Sequence, residues 1–122
     1  MLELLKKRIV IWITTSFVGY HRWEDAPNEV AFLRNWHRHV FHVKLAVEVY
    51  HGDREQEFFL LKSRVNQYIQ KHLSGQHFSS SCEGIADDLL TAFGARWVEV
   101  SEDGENGAIV SDEVPVATFD NV

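Results

Sequence analysis

The chain has 122 residues, 45% apolar and 25% charged, a balance that fits one soluble globular domain over residues 1–122 and not two. Its net charge of −6, from 12 basic and 18 acidic side chains, argues against a bulk electrostatic grip on nucleic acid and leaves only a local basic patch as a route to such a partner. No segment approaches the roughly 18 apolar residues of a membrane span, and a single cysteine, Cys82, rules out an internal disulfide and fits a reducing cytoplasm.

The opening "MLELLKKRIVIWI" sets Lys6, Lys7 and Arg8 before an apolar run. The run is short and lacks a small-residue cleavage site, so it reads as the start of a strand and not as a signal peptide. That first strand covers Arg8 to His21, rich in β-branched and aromatic residues. "RWEDAPNEVAFLRN" mixes charge, proline and apolar residues, a long connection with room for a short helical turn. The second strand is "WHRHVFHVKLAVEVYHG", ending at the turn signal His51-Gly52-Asp53. Its odd positions from Phe41 to Val49 are apolar, and Arg38, His42, Lys44 and Glu48 mark the wet face.

From Glu57 the period lengthens. Phe58, Leu61, Val65, Tyr68, Ile69 and Leu73 recur at three and four residues, predicting an amphipathic helix that stops before Gly75. A second helix follows in "SSSCEGIADDLLTAFG": Ser80 with Glu83 fits a capping box, Ile85, Leu89 and Phe93 face a core, and Gly94 ends it. "ARWVEVSEDGENGAIVSDE" reads as a hairpin, with strands through Trp97, Val98 and Val100 and from Ala108 to Ser111. The tail from Pro115 has the character of a short strand or an arm to a neighbouring chain. The order is ββααββ, an α+β domain with a four-stranded antiparallel sheet and both helices on one face.

Seven histidines concentrate between His21 and His51 and again at His72 and His77. His37 and His39 head the face that the second strand otherwise gives to apolar residues. Residues two apart on a strand project to one side about 6.5–7 Å apart, so two imidazoles can converge on one ion. His21, ending the neighbouring strand, is the natural third ligand. Three histidines and an open position suit a catalytic zinc, with copper, nickel or iron left open by ligand type.

Taken together, "SFVGYH…HRH…EFFLLK…SSCEGIA…VEVSED" resembles the family of 6-pyruvoyl-tetrahydropterin and 6-carboxy-tetrahydropterin synthases, over roughly residues 8 to 111. That family has a first-strand histidine, a His-Gly-His, an Asp-Phe-x-x-Leu-Lys opening helix one, a Pro-Thr-x-Glu-Asn-(Ile/Leu)-Ala opening helix two, and a Val-x-Val-x-Glu-Thr strand. The counterparts are His21, His37-Arg38-His39, Glu57 to Lys62, Ser80 to Ala86, and Val98 to Asp103. The resemblance implies the ββααββ tunnelling fold and a zinc on His21, His37 and His39. It further implies a pterin-like ring held by Glu102 through a bidentate carboxylate contact, with Ser81, Cys82 and Glu83 lining its pocket. Trimers or stacked hexamers with sites between subunits are implied as well.

The pattern breaks where the family transfers protons. "EVAFLRNW", ahead of His37, has no cysteine, and "KHLSGQHFSSS" has His72 and His77 but no Asp-His pair. The central glycine of the histidine motif is Arg38, and the helix-two asparagine is Gly84. His77 is then the best candidate acid or base, with Glu24, Asp25 and Glu29 as alternatives. The expected activity is a zinc-dependent lyase like 6-carboxy-tetrahydropterin synthase, which acts on dihydroneopterin triphosphate in the biosynthesis of queuosine-type 7-deazaguanines. One alternative is a related reaction, such as removing a one-carbon substituent from a 7-deazaguanine base or from modified nucleic acid. That would suit a viral protein working in host cytoplasm. Another is a non-catalytic binder of a pterin or nucleotide.

Overall fold

Two long strands dominate the computed structural model, which describes residues 7–112. β1 (Ile9–His21) and β2 (His37–Val49) pair antiparallel throughout, Ile9 opposite Val49 and His21 opposite His37. Successive side chains on a strand alternate sides, so this register sends every odd-numbered residue of both strands to one face. Ile13 meets Leu45 there and Phe17 stacks on Phe41 with ring centroids 5.2 Å apart.

The connection between them contains a 3-10 segment, Asn28–Arg34, entered through Pro27. Arg34 staples the loop on itself, donating from Nε to the Ala26 carbonyl and from Nη2 to Asn28 Oδ1. α1 (Phe58–His72) starts where the Glu57 carboxylate accepts from the Phe59 and Leu60 N–H groups. Leu61, Val65, Ile69 and Leu73 bury on the sheet as the period requires, whereas Phe58 stays exposed in the first turn. α2 (Cys82–Phe93) buries Ile85, Ala86 and Leu89 on the same face and ends at Gly94, whose φ of 57° is the left-handed conformation glycine adopts freely. Tyr68 of α1 donates to Asp88 of α2, tying the helices together.

β4 (Trp97–Glu102) pairs antiparallel with β2, and β5 (Asn106–Ser111) with β4. The α+β class holds, with both helices over one sheet face. The sheet differs from the four antiparallel strands expected. It has five, in the order β3-β1-β2-β4-β5, and is mixed because the two-residue β3 (His77–Phe78) runs parallel to the end of β1. Two residues carry no readable period. β3 is held by main-chain bonds, from Gly75 N–H to Val18 and from Tyr20 N–H to Gln76. The segment from Pro115 lies outside the described residues.

Among the described residues no helix covers the opposite sheet face. Trp12 is 54% exposed there, and the Lys44 ammonium lies over both Trp12 (4.3 Å) and Trp97 (5.6 Å). Among the described residues no helix is long and apolar enough to cross a membrane. Leu89 is fully buried between α2 and the sheet, so Leu89→Ala is expected to cost about 2–5 kcal/mol in urea unfolding followed by circular dichroism.

Candidate metal centre and ligand cavity

The core-facing stripes of three strands run out into polar residues at the same end of the sheet. On β1 the stripe Ile13, Phe17 ends in His21; on β2, Phe41 is preceded by His39 and His37; on β4, Val98 and Val100 lead to Glu102. Because His21 pairs with His37 and Phe41 with Glu102, the antiparallel registers bring all four together.

The imidazole centroids lie 4.5 Å (His21–His37), 5.0 Å (His37–His39) and 5.2 Å (His21–His39) apart. One ring nitrogen from each falls within 4.8 Å of the others. Each Nδ1 is tethered to an oxygen: His21 to the Ser80 carbonyl (2.9 Å), His37 to the Asn35 carbonyl (2.8 Å) and His39 to the Asp103 carboxylate (2.7 Å). These oxygens only accept, so Nδ1 carries the proton in each neutral ring and Nε2 keeps its lone pair. Glu102 Oε2 approaches His21 Nε2 at 3.1 Å and Oε1 approaches His39 Nε2 at 3.6 Å. The 3.1 Å approach lacks hydrogen-bond alignment. His21 Nε2 is therefore the one buried side-chain nitrogen or oxygen without a hydrogen bond among the described residues. Three tethered imidazoles offering lone pairs to one point, one of them buried and unpaired, fit a divalent metal of the imidazole-preferring kind.

The cluster forms part of the wall of a cavity of about 550 Å³. His21, His37 and Glu102 line one side, and Ser79 to Glu83 at the start of α2 another. Arg22, Trp23 and Leu33 of the connection and Asn106 and Gly107 of β5 complete it. Gly107 is required by space: a Cβ there would stand 2.3 Å from the Val100 carbonyl oxygen. Phe78 packs its ring over Gly19, where a Cβ would come within 2.7 Å, and reaches His21 and Phe41.

The three expected metal ligands are thus together, and Ser81, Cys82, Glu83 and Glu102 line the adjoining cavity. His77 is not there. It pairs with Tyr20 and stacks on it at 4.9 Å, on the sheet face away from the imidazoles. Asp25 and Glu29 lie in the connection and line no part of the cavity, and Glu24 is ion-paired to Arg22. The N-cap falls one residue later than the expected capping box: Ser81, not Ser80, caps α2 by accepting from the Gly84 N–H, and Ser80 instead offers its carbonyl to His21. Three consecutive serines hid which one would cap. Sequence reasoning also passed over Arg22, Trp23 and Leu33, in a stretch without periodicity, and Asp103, whose Asp-Gly signal is explained by a turn alone. The His39 ring and the Val40 N–H hold the Asp103 carboxyl below the usual carboxylate range.

A scan against known protein families returns no match, and no curated protein matches the chain. Among solved structures, the fold is similar to the crystal structure of an uncharacterized protein from Wolinella succinogenes. The TM-score is 0.72 at 14% identity, covering 88% of this chain and 100% of that one. At that identity the likeness shows a shared fold.

Cys82 lines the cavity but is no nucleophile at neutral pH. Burial, with the charges of Glu102 and Glu83 adding to it, pushes its thiol up to about 12. The native protein is expected to resist alkylation by iodoacetamide at pH 8 and to react stoichiometrically once unfolded in urea, as read by intact mass.

Proposed function

We propose that the chain is a zinc-dependent lyase of the tunnelling-fold type, acting on a pterin or 7-deazaguanine ring. The observation that carries this reading is the convergence of three tethered imidazoles beside a cavity roomy enough to admit a heterocyclic ring. His21, His37 and His39 would hold the metal. Bound there, zinc supplies Lewis acidity toward an oxygen on the ring's substituent. Glu102, at the end of the β4 core stripe, is suited to grip two adjacent N–H groups of a guanidine-like ring edge. The start of α2, with Ser81, Cys82 and Glu83, would form the wall against which the ring lies and from which water is excluded.

Glu83 and Glu102 are the carboxylates lining the cavity among the described residues, so proton transfer within one chain falls to Glu83 once Glu102 holds the ring. His77, Asp25 and Glu29 would act only across a subunit boundary. The outer edges of β1 before β3 and of β5 carry no neighbouring strand among the described residues, which supports closure into trimers or stacked hexamers.

Two substrate classes divide the reading. Dihydroneopterin triphosphate, the substrate of 6-carboxy-tetrahydropterin synthase, brings a polyanion, whereas Arg22 is the one lysine or arginine lining the cavity among the described residues. Arg22 is also committed to Glu24 and stacked over Trp36 at 4.6 Å. That single cation from the chain's own lining, with no cysteine ahead of His37, is the reason to weigh the second class beside the first: a 7-deazaguanine from which a one-carbon substituent is removed.

Metal analysis is expected to give about one zinc per chain, lost in His37→Ala. Incubation with dihydroneopterin triphosphate and with a 7-carboxy-7-deazaguanine, followed by mass spectrometry, decides the substrate. Ring binding without product from either leaves a binder and refutes the lyase. Glu102→Gln is expected to weaken ring binding by at least about tenfold while zinc is retained.

A further inference from the structure

We propose that Asp103 is a positioning residue of the metal centre, its carboxylate fixing the tautomer and orientation of His39 and so setting how tightly the cation is held. The inference rests on reading His21, His37 and His39 as ligands, and it assigns the one charged group that tethers any of them.

The tethers are unequal. His21 and His37 donate to neutral main-chain carbonyls, whereas His39 donates to a carboxylate at the shortest distance of the three. A carboxylate behind an imidazole makes Nε2 a stronger donor to a metal and holds the ring plane. Asp103 is itself held on three sides. Its Oδ2 accepts from the His39 Nδ1–H, its Oδ1 accepts from the Val40 N–H (2.9 Å), and its own N–H donates to the Val40 carbonyl (2.8 Å). The carboxylate reaches back over β2 because Asp103 has a φ of 57° and Gly104 a φ of 72°, the first two positions of the turn joining β4 to β5.

A bend in the chain explains part of this. Asp-Gly is a common turn pair, and asparagine would serve the turn as well. What the turn does not need is a second acceptor aimed at His39. Asparagine has only one. With its oxygen kept on the Val40 N–H, its amide would donate to His39 Nδ1, drive the ring proton to Nε2 and block the atom that faces the metal.

The two roles therefore separate in Asp103→Asn, which preserves the turn and inverts the tether. The test uses the full chain and zinc alone, with affinity from chelator competition and the His39 tautomer from nitrogen-15 spectra of the zinc-free protein. The expected result is a loss of zinc affinity on the order of 10–100-fold, an unfolding midpoint near that of the unsubstituted chain, and a shift of the His39 proton from Nδ1 to Nε2. Asp103→Gly, which keeps the turn without a donor, is expected to lose less affinity than Asp103→Asn. Zinc affinity in Asp103→Asn within about twofold of the unsubstituted chain, with binding abolished in His37→Ala, overturns this proposal alone. Absence of zinc binding by the unsubstituted chain overturns the metal reading and this proposal with it.

Discussion

The cluster of His21, His37 and His39, which could hold a metal ion, depends on the register in which β1 meets β2. Strands have a side-chain period of two, so a slip of one residue would send His21, or both His37 and His39, to the opposite face. The imidazoles do not set that register. It is set by Ile13 against Leu45 and Phe17 against Phe41, and by β4, whose Val98 and Val100 pack beside Leu45 and Val43. Each fully buried side chain of this kind is worth roughly 1.5–3 kcal/mol. A slip would expose several at once, so the apolar core holds the polar cluster in place.

The site sits where the core ends, and this dictates its chemistry. Polar groups at the edge of a core must find partners, and the imidazole Nδ1 atoms do so in three different loops: before β2, before α2 and after β4. Each loop thereby acquires a reason to be close. Ser80 is held near His21 by a bond made through its carbonyl, which brings the start of α2 over the sheet. Phe78 can lie against His21 and Phe41 because residue 19 is glycine. The cavity is thus what remains once every tether has been made.

Much of this was legible in the sequence, and the rest was hidden for physical reasons. Alternation over Phe41 to Val49 and the helical spacing of Leu61, Val65 and Ile69 report burial directly, since a face turned to the core tolerates little else. His21, His37 and His39 were legible because they occupy core-facing positions where an untethered imidazole would be costly. β3 was hidden because two residues have no period, and the capping serine because Ser79, Ser80 and Ser81 are chemically alike. Phe58 fitted the helical spacing but lies before the first turn that reaches the sheet. The connection from Arg22 to Arg34 folds on side-chain and main-chain bonds of its own, so nothing in it forecast that Trp23 and Leu33 would meet the cavity while Asp25 and Glu29 would not. Likeness to a structure at 14% identity adds the fold and leaves the chemistry to the residues.

The far side of the sheet tells a different story about solvent. Indoles left bare on such a surface would shed water and invite greasy neighbours. With the Lys44 ammonium spread across Trp12 and Trp97, their π faces are already engaged by a charge that draws hydration. That surface is disposed to keep its water, a charged face and not the start of a second core.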